Sequence, residues 1–172
     1  KYVEIELADK PKSVELIHKK MNQEILTKDE LKIIMGDIAK NALTEAEIAY
    51  LISSIYNSEM SMKEIADLTK AIVETGQILK FKGKVADKHS VGGIPGRTTP
   101  IVVSICACTG LKIPKTSSRA ITTPAGTADA METICKVYFN ISEVKKIVNK
   151  TNACLVWGGS LNLAPADDKI LQ

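Results

Sequence analysis

The chain has 172 residues, of which 45% are hydrophobic and 25% are charged, with a formal net charge of +3. This length fits one ordinary domain, or one domain with part of another, and the apolar share is ample for a core. Nucleic-acid-binding surfaces cluster basic residues with aromatic residues between them, and the few aromatic residues here follow no such pattern. We therefore expect no nucleic-acid partner.

No stretch of the sequence predicts a membrane segment or a metal centre. The longest apolar run, PIVVSICACTGLKIP, is shorter than the ~20 residues that span a bilayer, and no signal peptide is visible. Cys106 and Cys108 lie in this run without a nearby histidine, which favours small buried side chains over metal ligands. Such cysteines fit a reducing cytoplasm. We expect a cytoplasmic protein with no membrane partner, no metal and no cofactor.

Residues 1–76 predict a bundle of short helices. Capping boxes begin at Thr27, Thr44 and Ser61, each with a glutamate three residues later. In such a box the hydroxyl accepts a hydrogen bond from the third helical amide, and the glutamate accepts one from the amide of the capping residue. Apolar residues at helical spacing follow each box, and a further helix precedes them over about 13–21. Four amphipathic helices with brief links form a small bundle.

After Gly76 the sequence alternates between predicted strands and helices, which favours a parallel α/β layer. The strands are KVADKHSVGG, LKIPKTS and ACLVWGG, and the helices are TTPIVVSICACTG, TPAGTADAMETICKVY and a third that opens at Ser142. A complete parallel sheet usually has about five or six strands. The chain also begins without Met and ends in PADDKILQ. We therefore expect a fragment, with a helical domain over 1–76 and a partial α/β domain over 77–172.

The first predicted strand ends in DKHSVGGIPGRTTP, a stretch rich in hydrogen-bond donors. Glycines allow the backbone amides to approach a ligand closely, and the helix that follows adds its positive end. Ligands of open parallel sheets bind outside the carboxyl ends of the strands. The stretch matches neither the Walker A loop nor the dinucleotide fingerprint, and a phosphate is the natural guest. The candidate residues are Lys88, Ser90, Gly92, Gly93, Gly96 and Thr99.

The second predicted strand ends in TSSRAITTPAGTAD, which carries five hydroxyl side chains and Arg119. Arg119 either binds an anion through its guanidinium or pairs with Asp129, and we favour the pairing. Asp129 lies in the first turn of the next helix, where an acid complements the helix dipole. The third strand end, GGSLNLAPADD, is a weaker signal. The five hydroxyls belong to Ser117, Ser118, Thr122, Thr123 and Thr127.

His89 has two interpretations that the sequence leaves open. Between Lys88 and Ser90 it is placed to act as a general acid or a substrate donor near neutral pH. It also fits a structural role in a turn.

Two motifs resemble the thymidine phosphorylase family of nucleoside phosphorylases. KHSVGG is followed about 25 residues later by SSRAITTPAGTADAME, which fits the family's Ser-x-Arg and Gly-Thr-x-Asp signature. The sequence SSRAIT, and Ile-Pro-Gly after the glycine pair, are similar to the sequences of the archaeal branch of the family. That branch includes AMP phosphorylases. Pro124 and Met131 depart from the commonest signature without removing a polar contact. The resemblance covers nearly the whole chain.

The resemblance implies a helical domain and a nucleoside phosphorylase/phosphoribosyltransferase-like α/β domain. It implies phosphorolysis of a nucleoside 5'-monophosphate to a free base and ribose 1,5-bisphosphate, with phosphate and the nucleotide or nucleoside as partners. It assigns the attacking phosphate to Lys88, Ser90, Thr99, Ser117 and Thr127. It implies that the general acid lies beyond Gln172. The residues expected to contact the nucleotide are His89, Gly92, Gly93, Ser118, Arg119, Ala120, Ile121, Thr122 and Thr123.

The resemblance also implies a homodimer formed through the helical domain, and we expect the fragment alone to be inactive. Three alternatives stay open at this point. The substrate is a pyrimidine nucleoside such as thymidine, or the enzyme is similar to anthranilate phosphoribosyltransferase, or the chain is only a phosphate-binding, dimerising fragment. The second of these would require a metal and typically Gly-Thr-Gly-Gly-Asp where this chain has HSVGG.

Overall fold

The computed structural model describes residues 10–89, 96–120 and 124–171. These residues form two compact units, one made of the chain up to Gly76 together with Ala164–Gln172, and the other made of Gln77–Leu163. The sequence pattern predicted that the residues after Leu163 belong to the α/β domain, whereas their contacts place them with the helices. The predicted fold class is confirmed, because one unit is helical and the other contains parallel strands.

The described residues contain eight α-helices and two strands. None of these helices is long and apolar enough to cross a membrane. In chain order they are α1 (Lys12–Met21), α2 (Lys28–Ala39), α3 (Glu45–Tyr56), α4 (Met62–Glu74), α5 (Thr99–Cys108), β1 (Ile113–Ser117), α6 (Thr127–Glu132), α7 (Ile141–Thr151), β2 (Ala153–Trp157) and α8 (Pro165–Ile170).

Two of the three predicted capping boxes are complete. At the start of α2, the Glu30 amide donates to Thr27 Oγ1 at 3.3 Å, and the Thr27 amide donates to Glu30 Oε2 at 2.7 Å. The box at Thr44 is complete in the same way. The prediction at Ser61 is wrong in one half. The Ser61 hydroxyl accepts from the Glu64 amide at 3.2 Å, but the Glu64 carboxylate binds the ammonium group of Lys20 instead.

The core of the helical unit forms where the apolar faces of its helices meet. Leu31, Ile34 and Ile38 of α2 and Leu51 of α3 are all at most 1% exposed. Helix α8 adds Ala166, which is fully buried among these helices and donates its amide hydrogen to Thr75 Oγ1 at 3.4 Å. These contacts explain why the residues after Leu163 belong with the helices.

Strands β1 and β2 pair in parallel, with Ile113 opposite Ala153 and Ser117 opposite Trp157. The carboxyl ends of the two strands therefore lie side by side. The first predicted strand contributes a single parallel bridge, in which Val85 faces Lys112. This bridge extends the parallel arrangement to a third segment of chain, on the β1 side.

Helix α6 is shorter than the sequence predicts, because it ends at Glu132 where we expected helix as far as Tyr138. The β-branched residues after it favour extended backbone over helix. Val137 is fully buried, and its carbonyl accepts a hydrogen bond from the Trp157 amide at 2.9 Å. This segment therefore supports β2.

Helices α5 and α7 have the ends that their sequences predict, apart from the first residue of α7. Pro100 lies in the first turn of α5, and Gly110 follows the helix with a φ of +86° that favours glycine. The cap of α7 is Asn140 rather than Ser142, and the Glu143 amide donates to its side chain at 3.0 Å.

The core of the second unit lies between α7 and the sheet. Val144, Val148 and Val156 are fully buried there. The expectation that the two neighbouring cysteines are buried is wrong for Cys108, which is exposed near the end of α5, while Cys106 is half-buried.

Candidate functional site

The candidate site lies at the carboxyl ends of the parallel segments, within the α/β unit. Ser117 is the last residue of β1, and Thr127 is the first residue of α6. The two are brought close because the Ala128 amide donates to the Ser118 carbonyl at 3.2 Å. The loop that leaves β1 and the start of α6 therefore contact each other directly.

Ser117 has a buried hydroxyl. The residue is 8% exposed, and its Oγ has no hydrogen-bond partner within the described ranges. A buried polar atom without a partner costs free energy, so such an atom is often the place where a ligand or an ordered water binds. The phosphate-binding role expected for Ser117 stays a prediction.

Thr99 begins α5 and is 1% exposed. Its amide donates to the Gly96 carbonyl at 2.8 Å, which shapes the turn that enters the helix. Lys88 follows the bridge at Val85 and is half-buried, while His89 is exposed. The roles expected for Thr99, Lys88 and His89 stay predictions.

Arg119 is held by two carboxylates and an aromatic ring. Its Nη1 lies 2.6 Å from Glu132 Oε2 and 2.8 Å from Asp129 Oδ1, and its Nη2 lies 3.0 Å from Glu132 Oε1. The guanidinium carbon lies 4.8 Å from the ring centroid of Trp157. Glu132 and then Asp129 raise the pKa of Arg119, and the guanidinium lowers the pKa of Glu132. Arg119 therefore anchors the loop after β1.

Asp129 links that loop to the start of α6. Its Oδ2 accepts hydrogen bonds from the Ala120 amide at 2.7 Å and from the Gly126 amide at 2.8 Å. The bond from Gly126, and then the bonds from Arg119 and Ala120, lower the pKa of Asp129. A carboxylate with these partners stays ionised and positions the loop, which agrees with the structural role favoured from the sequence.

Gly126 makes this arrangement possible. A Cβ atom at this position would lie 2.4 Å from the Ser118 carbonyl oxygen and 2.6 Å from the Arg119 carbonyl oxygen. Backbone atoms cannot yield to such a contact as a flexible side chain would. The loop after β1 therefore passes over Gly126 at a distance that only glycine allows.

Lys115 was not predicted from the sequence as a site residue. It is 7% exposed in β1, on the same face of the strand as Ile113 and Ser117. Its Nζ donates to the Thr116 carbonyl and lies 3.7 Å from Asp87 Oδ1. Burial lowers the pKa of Lys115, Asp87 partly opposes this, and the charge of Lys88 lowers it further. The signal in the sequence was a lysine at a core-facing position of an alternating strand.

The third strand end is structural. The Ser160 hydroxyl donates to the Trp157 carbonyl at 2.8 Å and to the Phe139 carbonyl at 3.1 Å. A Cβ atom at Gly159 would lie 2.7 Å from the Trp157 ring. The glycine and the serine therefore shape the turn after β2, which fits the weaker signal of this stretch.

Six of the expected ligand-contacting residues lie outside the described residues. They are Ser90, Gly92, Gly93, Ile121, Thr122 and Thr123. Of the residues expected to contact the nucleotide, Ser118 and Ala120 are exposed on either side of Arg119. Over the described ranges, no cluster of three or more His, Cys, Asp or Glu side chains has the geometry of a metal site.

Two family models match the chain. The model described as "Glycosyl transferase family, helical bundle domain" matches residues 14–76, and the model described as "Glycosyl transferase family, a/b domain" matches residues 82–170.

Curated relatives match nearly the whole chain. The AMP phosphorylase of Methanospirillum hungatei is 49% identical over 171 residues, which is 98% of this chain and 33% of the relative. The AMP phosphorylase of Thermofilum pendens is 49% identical over 172 residues, which is 99% of this chain and 34% of the relative. The chain thus spans about a third of the length of these relatives.

A solved structure has the same fold. Anthranilate phosphoribosyltransferase from Thermus thermophilus matches with a TM-score of 0.70 over 90% of this chain and 50% of that one. Because the identity is 16%, this likeness supports the fold alone.

Proposed function

Because the chain belongs to the glycosyl transferase family with a helical bundle and an a/b domain, we propose that the full-length protein is a nucleotide phosphorylase. Its substrates are inorganic phosphate and a nucleoside 5'-monophosphate similar to AMP, and its products are the free base and ribose 1,5-bisphosphate. The observation that carries this proposal is the identity of 45–49% to AMP phosphorylases over nearly the whole chain.

In this reaction a phosphate oxygen forms a bond to C1' of the ribose while the bond from C1' to the base nitrogen breaks. The electron pair of the broken bond leaves with the base, which takes up a proton. Positive charge develops on the sugar, and the phosphate anion beside it stabilises that charge. The protein must therefore hold phosphate in a fixed position with donors that need no rearrangement.

The geometry at the carboxyl end of β1 supports this role. The buried hydroxyl of Ser117 has no partner among the described atoms, and Thr127 lies at the start of the helix that contacts the same loop. We propose that Ser117, Thr127, Thr99 and Lys88 bind the attacking phosphate. Ser90 completes the proposed set and lies outside the described residues.

The nucleotide is proposed to bind along the loop that follows β1. Arg119 and Asp129 fix the backbone of this loop through their ion pair and through the bond from Ala120 to Asp129. Arg119 already has two carboxylate partners, so we assign it a positioning role rather than direct contact with a phosphate. We propose that the exposed hydroxyl of Ser118 contacts the ribose or its 5'-phosphate.

The test uses the full-length protein, phosphate, and either AMP or thymidine, with the released base measured by chromatography. Release of adenine that requires phosphate, with thymidine unchanged, is the expected result. Release of thymine instead would assign the protein to the nucleoside phosphorylases. Release of neither base, with or without magnesium, would contradict the proposal.

We also propose that the protein is a homodimer formed through the helical unit. Large apolar side chains are exposed on two of its helices, with Tyr56 of α3 at 88% and Met62 of α4 at 79% exposure. Tyr50 and Ile52 of α3 and Ile65 of α4 are exposed as well. Exposed apolar groups in such number on two helices that follow one another in the chain are typical of a protein interface.

A further inference from the structure

We propose that Lys115 is a second lysine of the phosphate site and binds the attacking phosphate together with Lys88. This inference rests on the proposed function, because it adds a residue to the same site. Three features of the molecule support it: the position of a buried ammonium group, the incomplete set of partners around this group, and the unpartnered hydroxyl on the same face of β1.

The position of Lys115 follows from the parallel arrangement of the strands. Val85 and Lys112 face each other in the bridge. Lys88 lies three residues after Val85, and Lys115 lies three residues after Lys112. The two lysines therefore extend equally far towards the carboxyl ends. Burial lowers the pKa of Lys115 and the charge of Lys88 lowers it further, which agrees with a short separation between the two ammonium groups.

The partners of Lys115 leave its charge incompletely satisfied. An ammonium group has three donors, and a buried one is costly unless it is paired and hydrogen-bonded. In the described part of the chain, its Nζ donates to the Thr116 carbonyl, and the nearest carboxylate oxygen, Asp87 Oδ1, lies 3.7 Å away. This distance is longer than a charge-assisted hydrogen bond of about 2.7–2.9 Å. Asp87 is itself half exposed to solvent.

Ser117 adds an independent observation that points to the same ligand. It lies two residues after Lys115 and faces the same side of β1, where its buried hydroxyl has no partner among the described atoms. A cation with free donor capacity and a hydroxyl with no partner match an anion with several oxygen atoms. Inorganic phosphate has this chemistry, and one phosphate accepts bonds from both groups.

Asp87 has a defined role in this arrangement. In the absence of phosphate its carboxylate partly balances the charge of Lys115. A phosphate that binds Lys115 must compete with Asp87, so removal of the Asp87 charge should strengthen phosphate binding. A lysine that served only as the structural partner of Asp87 would behave differently, because loss of either residue would then weaken the site in the same way.

The test measures binding of radiolabelled inorganic phosphate to the full-length protein by equilibrium dialysis, which does not depend on turnover. Lys115→Met should weaken binding by about tenfold or more, as expected for a charge-assisted contact. Asp87→Asn should bind phosphate more tightly than the unmodified protein, because it removes the competing carboxylate. The control is Lys146→Met, which removes an exposed lysine of α7 and should change nothing.

Two results would overturn the inference. One is unchanged phosphate affinity in Lys115→Met. The other is an equal loss in Lys115→Met and Asp87→Asn with no further loss in the double variant, which would make Lys115 a positioning residue that acts through Asp87.

A second measurement uses the unmodified protein, so its result does not depend on whether the variants fold. Its lysines are acetylated in trace amounts with and without phosphate, and the labelling of each is read by mass spectrometry. Phosphate should reduce labelling of Lys115 and Lys88 severalfold relative to Lys146. Unchanged labelling of Lys115 in protein that binds phosphate contradicts the inference.

The same measurements separate this inference from the proposed function. Phosphate binding that depends on Lys115, in a protein that releases no base from AMP, would leave the inference standing and reject the phosphorylase. If adenine is released from AMP and phosphate binding does not depend on Lys115, the phosphorylase stands and the inference is rejected. Absence of phosphate binding in the unmodified protein would reject both.

Discussion

Gly126 shows how a single missing side chain controls the candidate site. The loop after β1 lies so close that a Cβ atom would be 2.4 Å from the Ser118 carbonyl oxygen. The amide of the same glycine donates to Asp129, which in turn binds Arg119. One residue thus fixes both the distance and the orientation of the loop.

We predict that Gly126→Ala displaces this loop, destabilises the protein by about 1–3 kcal/mol and weakens phosphate binding. The matched control is Gly36→Ala in α2, where a Cβ atom meets nothing within 4 Å. That variant should be stabilised by about 0.5–1 kcal/mol, since alanine favours helix over glycine. Urea unfolding and phosphate dialysis of the two variants make the comparison. Equal behaviour of both would show that the close approach at Gly126 has no effect.

The sequence predicted individual residues well where their role depends on near neighbours. Arg119 and Asp129 are ten residues apart, and the sequence favoured their pairing. The pairing is confirmed, because Arg119 Nη1 lies 2.8 Å from Asp129 Oδ1. Lys115 was missed because its significance depends on burial and on Asp87, which comes from another segment. Trp157, which stacks on Arg119, was missed for the same reason.

At the scale of helices and strands, the capping boxes show both the value and the limit of local patterns. Thr27-x-x-Glu30 and Ser61-x-x-Glu64 have the same spacing, yet only the first forms both hydrogen bonds. The carboxylate of Glu64 is drawn to Lys20, which is 44 residues away in the chain. No local pattern contains that information.

The complete box at Glu30 predicts a dependence of stability on pH. Lys19 and then the Thr27 amide lower the pKa of Glu30 from 4.5 to about 2. The stabilisation is therefore fully present above the unfolded value of 4.5 and is lost as the pH falls through about 2. Glu30→Gln should cost about 0.5–1 kcal/mol at pH 7. The cost should decrease as the pH approaches 2.

Urea unfolding followed by circular dichroism at several pH values measures this cost, with Glu24→Gln at an exposed position as the control. A cost for Glu30→Gln that is the same at pH 7 and near pH 2 would refute the role of its charge.

The ion pair between Lys20 and Glu64 is buried, with side-chain exposures of 2% and 1% and a distance of 2.7 Å. Glu64 Oε1 also accepts the Leu26 amide at 3.0 Å. We predict that Glu64→Gln alone costs about 3–5 kcal/mol, because it leaves a buried ammonium unpaired. Addition of Lys20→Met should recover most of this loss, since glutamine still accepts from Leu26. A double variant no more stable than Glu64→Gln in urea unfolding would contradict this account.

At the scale of the whole molecule, the fold class was predicted from the change in sequence pattern near Gly76. The unit to which the last residues belong was not predicted, because the sequence PADDKI looks like a continuation of the α/β region. Only the contacts of Ala166 and Ile170 with the helical core reveal that α8 belongs to the first unit.

The proposed homodimer leads to a test with two tyrosines. Tyr56→Glu places a charge on the exposed face of α3 and should convert the dimer to a monomer in sedimentation equilibrium at micromolar concentration. The control is Tyr138→Glu, which alters an exposed tyrosine of the other unit and should leave the mass unchanged. A dimer that survives Tyr56→Glu would move the interface away from this face.

The return of the chain to its first unit has a further consequence. The α/β unit is an insertion, since it begins at Gln77 and ends at Leu163 between two parts of the helical unit. Its entry and exit are adjacent, because the Gln77 amide donates to the Asn162 carbonyl at 3.0 Å. A gene that joins these two points through a short loop would encode α1–α4 followed by α8 as one continuous mini-protein. In genetic terms, the α/β unit is encoded as one uninterrupted insert between the two stretches of the gene that encode the helical unit.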